Sequence, residues 1–438
     1  MNQKSALLIG ILFAVTIQVQ AQSRKILFEE VKNRPATTTG QWVIGDKNMT
    51  VDGNSQIASA EAIKPGSLAV TEYFEAGGKN VVTRMQPYPI QASEISDGPY
   101  VNWIDPQTAE IITIVNGKLS RQRIEKITEP RVIKNLTPRV EALTLNPAPP
   151  SPPKSEWNQP SRLMAISDLE GNYLNAVRFL ENNKVIDQQG HWIWGEGHLV
   201  LVGDLVDRGQ SVTELMWLFH RLELEAIAAG GRVHYVLGNH EAMVMGGDLR
   251  YIHPKYVFTS TRIGIAYDQL HGPDTEIGRW WRSKNGVTRV GDLLFVHGGY
   301  SPKLDAAKLE MNQLNQLIRN GLPPRKSVGA TPATNPVGDM HGPFWYRGYF
   351  PQHAAAWDGL ATPAQLKQIL NRHNAKHVVI GHTVVDQVGP IDDSGFVLGI
   401  DVKWADSKKC EGLLQENGIL YRVLMNGQRE RLFPDKSK

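Results

Sequence analysis

The chain has one cysteine, no block of like charge and only one long apolar run, and each shortage removes a class of protein. Cys410 has no partner within the chain, so disulfides do not hold the fold together. A net charge of +3 over 438 residues, with no basic run able to neutralise several phosphates at once, excludes nucleic acid as a partner. The one apolar run, Ala6 to Ile17, is shorter than the roughly 20 residues that span a bilayer, so no permanent membrane anchor is expected. With Lys4 before it and Val19-Gln20-Ala21 after it, the run reads instead as an export signal over residues 1–21, cleaved after Ala21. A periplasmic or secreted location follows. No cysteine directly follows the run, which removes the usual attachment point of a lipoprotein.

What is present is globular. Residues are 41% hydrophobic and 21% charged, and 40 Gly and 26 Pro point to many turns. The length predicts two folded units, because single cores stop growing near about 250 to 300 residues. The stretch 146–160, NPAPPSPPKSEWNQP, has six prolines and reads as a stiff linker between them. Upstream, residues 22–145 carry β-branched and aromatic segments (Gln41 to Ile44, Ser67 to Phe74, Asn80 to Thr83, Glu110 to Val115) separated by Gly, Asn and Pro. They predict a small β-rich domain. It has no cluster of metal-ligand residues, so a structural or targeting role is its default.

Downstream, residues 161–438 show α/β organisation. Short apolar strands are expected at Leu163 to Ile166, Leu199 to Val202, Val233 to Leu237, Leu293 to Val296 and Val378 to Ile380, each closely followed by Asp, Asn or His. Leu174, Val177 and Leu180 suit one helix face, Ser211 to Ala229 a longer helix, and Thr362-Pro363 a helix start. Five loops at strand ends then line up: SDLEGN (167–172), GDLVDRG (203–209), GNHE (238–241), HGG (297–299) and GHT (381–383). Any one of them is more often a cap or turn. Together on one α/β domain they place carboxylates, an amide and imidazoles at the crevice where such sheets bind ligands. A mixed Asp, Asn and His set suits Mn, Fe or Zn better than Ca or Mg.

These loops resemble the calcineurin-like metallophosphoesterase superfamily, in its phosphoprotein phosphatase branch, which is marked by GDxVDRG, GNHE and HGG. WYRG (345–348) and GDLRYIHPKY (247–256) look closer to the bacterial Shewanella-like phosphatases. The resemblance covers residues 160 to 405. It implies a four-layer α/β/β/α sandwich and two divalent metal ions, Mn first, with Fe or Zn as alternatives. By position, it implies that Asp168 and Glu170 bind one metal, that Asp204 bridges both, and that Asn239, His297 and His382 complete the second. The family usually has His where this chain has Glu170, which leaves Glu170 either a direct ligand or an outer-shell residue. The resemblance further implies a phosphate monoester as substrate, protein or small molecule, cleaved by in-line attack of metal-bound hydroxide. His240 is the expected proton donor to the leaving group, Asp207 its orienting partner, and Arg208 and Arg347 the forks that grip phosphate oxygens. Hydrolysis of dinucleoside polyphosphates or other nucleotide phosphates is the alternative. A binding module with a relic site is a third reading, opposed by the intact Asp207, His240 and arginine pair.

Other features carry less. His191, Trp192, Trp194 and His198 read as a hairpin edge, Trp280-Trp281 as core, and Tyr346 as either pocket or core. The segment Leu304 to Asp339, with a helix over Lys308 to Asn320 and a Pro-containing loop, is a candidate lid.

Overall fold

The computed structural model describes residues 25–323 and 331–433, so the expected export signal at 1–21 lies outside the described residues. Two compact units divide between Gln91 and Ala92. In the first, Lys25–Asn33, Gly40–Ile44 and Lys47–Val51 form an antiparallel meander. Ser67–Ala76 and Lys79–Gln91 form a hairpin whose first strand pairs with Lys25–Asn33. A parallel pairing of Met49 with Asn80 closes the sheet on itself. Alternation does the rest: Trp42, Ile44, Met49 and Val51 point into the barrel and are buried, while Gln41 and Asn48 between them face solvent.

The second unit begins at Ala92, not after the proline-rich stretch, which corrects the expected boundary at 146–160. The strands Asp97–Asp105, Thr108–Val115 and Lys118–Ile124 form a three-stranded sheet whose Tyr100, Ile112 and Ile114 share one core with the catalytic strands. Backbone contacts tie it down further, since Trp103 N–H donates to the Asp274 carbonyl at 2.8 Å. The prolines were misleading because they remove donors but leave acceptors. The Pro153 and Lys154 carbonyls accept from Asn285 Nδ2, and Glu156–Trp157 adds a parallel strand beside Val287–Val290. The segment is a strap along one unit.

Two six-stranded mixed sheets make the heart of this unit. One runs Arg232–Val236, His198–Val202 and Arg162–Ile166 in parallel, then continues antiparallel through Glu411–Glu416, Ile419–Leu424 and Arg429–Arg431. The other contains Leu293–Val296 and His377–Ile380 in parallel, with Val397–Gly399 parallel on the far side. All five expected strands are present, largely apolar because both sheet faces are covered, with His234 the buried polar exception in the middle of Arg232–Val236. The register sets their carboxyl ends level, Ile166 beside Leu201 and Val202 beside Val236, so the loops that follow emerge together.

The helices follow their sequence signals, with one correction. Val212–Ala228 and Pro363–Arg372 form as expected, the latter capped by the Thr362 hydroxyl accepting from Gln365 N–H. In Tyr173–Asn182 the buried face is Ala176, Phe179 and Leu180, whereas Leu174 is exposed. At 3.6 residues per turn Leu174 lies about 200° around the helix from Ala176, on the side away from that face. Trp280 and Trp281 are core, as is Tyr346, and no described helix is long and apolar enough to cross a membrane.

Candidate active site

Backbone geometry builds the site before any side chain does. Asp168, Glu170, Asp204, Asp207, Arg208 and His382 all sit at positive φ, between 44° and 71°, a region that L-residues rarely adopt. Hydrogen bonds between loops hold them there. Asp168 N–H donates to the Gly203 carbonyl at 3.1 Å, and Glu170 N–H to the Asp204 carbonyl at 2.9 Å. Glu241, fully buried at the start of the helix Asn239–Met245, accepts from the N–H groups of Asp204, Leu205 and Gly238 at 3.0, 2.8 and 2.8 Å. Glycine is required at two close approaches: a Cβ on Gly203 would collide with His297 Nδ1, and one on Gly238 with Asp204 Oδ1.

Asp204, His297 and His382 bring one ligand atom each within 4.8 Å of one another. His297 Nδ1 donates to the Val202 carbonyl at 2.7 Å, which leaves Nε2 to face Asn239 Oδ1 at 3.0 Å and Asp204 Oδ2 at 3.2 Å. Burial opposes a charge on His297, but Asp204 and Asp168 overcome it and push the imidazole up to about 10, so the field at Nε2 favours positive charge. His382 Nε2 is buried without a hydrogen-bond partner. Burial, with His297 and Arg347 nearby, holds that imidazole well below its ordinary value, which keeps its lone pair free. Asp168 accepts the His382 N–H at 3.1 Å and a bond from Ser167, and burial raises its carboxyl to about 7, with Asp204 adding to the effect. Two imidazoles, one of them held through Nδ1, with an amide oxygen and buried carboxylates are the donor set of a divalent transition-metal ion, and the residues fit one.

The remaining site residues surround a cavity of 580 Å³. His240 Nδ1 lies 2.5 Å from Asp207 Oδ2, and its Nε2 is 3.8 Å from Asp204 Oδ2. Although burial opposes it, Asp204 and Asp207 raise the His240 pKa. Arg347 lines the cavity and donates to Thr383 Oγ1 at 3.2 Å. Arg208 also lines it, half exposed, stacked 5.5 Å over the Tyr251 ring and ion-paired with Glu170. All ten expected residues are therefore at or beside one crevice. Glu170 is turned to an arginine, and His297 lies just behind the lining.

Several residues of this site escaped the sequence reading. Asp401 lines the cavity two residues past the strand Val397–Gly399, the same strand-then-Asp pattern that flagged the other loops. Glu241 stands inside GNHE, yet its role needs three backbone partners that no spacing reveals. Tyr251, Trp345, Trp357 and Trp404 make an aromatic wall. The described parts of Leu304 to Asp339 contribute nothing to the lining, the helix there being Met311–Asn320, and residues 324–330 lie outside the described residues.

This arrangement, parallel strand ends feeding a cluster of acid, amide and imidazole groups, defines a metallophosphoesterase site. The family model of calcineurin-like phosphoesterases matches residues 161–386, and the chain belongs to that family. Its relatives include Shewanella-like protein phosphatase 1 of Plasmodium berghei, 25% identical over 244 residues, covering 52% of this chain and 62% of that protein. Shewanella-like protein phosphatase 2 of Arabidopsis thaliana is 26% identical over 277 residues, covering 53% and 68%. This chain thus spans under two thirds of the Plasmodium protein's length. Among solved structures, the cold-active protein-tyrosine phosphatase of a psychrophilic Shewanella species aligns with a TM-score of 0.70 and 36% identity, over 77% of this chain and all of that one.

Proposed function

We propose that the protein is a metal-dependent phosphatase that hydrolyses phosphate monoesters, aryl esters such as phosphotyrosine first among them. The observation that carries this reading is the cluster of Asp204, Asn239, His297 and His382 facing the His240–Asp207 pair across one cavity. Asp168, Asp204, Asn239, His297 and His382 would hold a pair of divalent cations, Mn by preference. Cations held there would supply positive charge to phosphate oxygens and lower the pKa of a bound water. Arg347, half-buried beside Thr383, is placed to bind phosphate oxygens through its fork. His240 donates Nδ1–H to Asp207, which fixes the ring and aims Nε2 into the cavity as proton donor to the leaving oxygen. Tyr251, Trp345, Trp357 and Trp404 offer an apolar wall for an aromatic leaving group, and the Shewanella structure is of a protein-tyrosine phosphatase.

In the same reading the two mixed sheets are the inner layers of a four-layer α/β/β/α sandwich, and residues 1–21 direct the protein to the periplasm or outside the cell. The decisive experiment is phosphate release from an aryl phosphate with added Mn, for the wild type and His240→Asn. The variant should lose roughly 100-fold or more in kcat. Equal rates would sink the mechanism, and cleavage of dinucleoside polyphosphates alone, with no monoester turnover, would replace the substrate.

A further inference from the structure

The strand Val397–Gly399 lies parallel to His377–Ile380, and Ile400 N–H donates to the Ile380 carbonyl at 2.9 Å. The residues just past these two strands are therefore neighbours: Gly381 and His382 on one, Asp401 on the other. The Val385 N–H donates to the Asp401 carbonyl at 2.9 Å, which fixes the backbone and leaves the side chain to the cavity. That carboxylate is 95% buried by exposure of only 5%, and among the described residues no hydrogen bond or ion pair reaches it. A buried, unpartnered carboxylate is costly unless a cation satisfies it. The charges around it do not. Asp168 and Asp204 line the same cavity and add to its negative charge. Meanwhile Glu170, standing where the family usually has His, spends its carboxylate on Arg208.

We propose that Asp401 is a ligand of the metal centre, supplying, beside Asp168, the donor that Glu170 withholds by pairing with Arg208. This inference rests on the metallophosphatase reading. Three buried acids, Asp168, Asp204 and Asp401, are then balanced by divalent charge instead of standing as an excess of negative charge. A carboxylate in place of the family's imidazole also makes this half of the centre harder, which favours Mn over Zn.

The test is metal content and affinity, read independently of turnover. Full-length wild type and Asp401→Asn are stripped with chelator, reloaded with Mn, and measured by elemental analysis and calorimetric titration. The wild type should hold two Mn. Asp401→Asn should lose about one equivalent or bind it roughly 10 to 100-fold more weakly, while Asp401→Glu retains both. If the asparagine variant does not fold, Asp401→Ser, which keeps the pocket polar without the carboxylate, is read in the same way. Two Mn bound at wild-type affinity in the carboxylate-free variant would overturn the role of Asp401 and leave the enzyme reading standing. A wild type that takes up no Mn would overturn both.

Discussion

Glu241 lines no part of the cavity, yet three backbone N–H groups from two catalytic loops converge on its carboxylate. Those bonds hold Asp204 at φ 54°, a strained conformation that persists only when its surroundings over-determine it. Glu241→Gln keeps the shape but presents an amide NH2 where at least one partner is itself a donor. Leaving a buried N–H without its acceptor costs about 1 to 3 kcal/mol. Because Asp204 also lies 3.2 Å from His297 and 3.8 Å from His240, the same change should weaken Mn binding roughly 10 to 100-fold. Thermal unfolding and Mn titration of the variant check both halves. An unchanged Mn affinity at a lowered melting temperature would confine Glu241 to stability.

At the scale of elements, the helix Pro254–Ile263 braces the catalytic loop from behind. Tyr256 Oη donates to the Gln210 carbonyl at 3.0 Å and accepts from Val212 N–H at 2.6 Å, and Lys255 Nζ donates to the same carbonyl at 2.8 Å. Lys255 is itself pinned by Asp97 at 3.1 Å and Glu214 at 3.5 Å, all three side chains nearly buried. The three-stranded sheet that begins at Asp97 is therefore part of what holds Asp207 and Arg208 in place. Lys255→Met removes one partner of a buried ion cluster and strands two carboxylates, which costs about 3 to 5 kcal/mol. Tyr256→Phe loses three hydrogen bonds and leaves the charges paired, so it should cost less, on the order of 1 to 3 kcal/mol. Denaturant unfolding of the two variants ranks them, and the reverse order would mean that the charges are better solvated than their burial indicates.

Over the whole molecule, what could be read in advance was whatever a local pattern encodes. The five strands and their ligand-bearing loops were legible because burial on both faces writes a largely apolar run and the turn after it needs Gly, Asp or Asn. The unit boundary was not legible, because the partners of Trp103 and Pro153 lie more than a hundred residues away. Glu170 was placed at the crevice, but its pairing with Arg208 depends on a rotamer. Burial of neutral imidazoles is another property of the assembled molecule. His271 donates from Nδ1 to the Tyr267 carbonyl at 2.9 Å, stacks on Trp281 at 4.9 Å, and has a buried Nε2 with no partner. Burial lowers its pKa to about 4, and that of His198, 3.0 Å from His234, also to about 4. A depressed histidine binds its proton more readily in the unfolded chain, so its contribution is complete above about pH 6.5 and is lost as pH falls toward 4. For His271 the loss across that window is on the order of 3 kcal/mol. His271→Phe keeps the stacking and cannot be protonated; it should be less stable than the wild type at pH 7, and the gap should narrow or reverse at pH 4. Melting temperatures of both proteins at the two pH values, with Mn held saturating at the upper one, decide the point: a gap that stays constant would show that protonation of His271 does not drive acid unfolding.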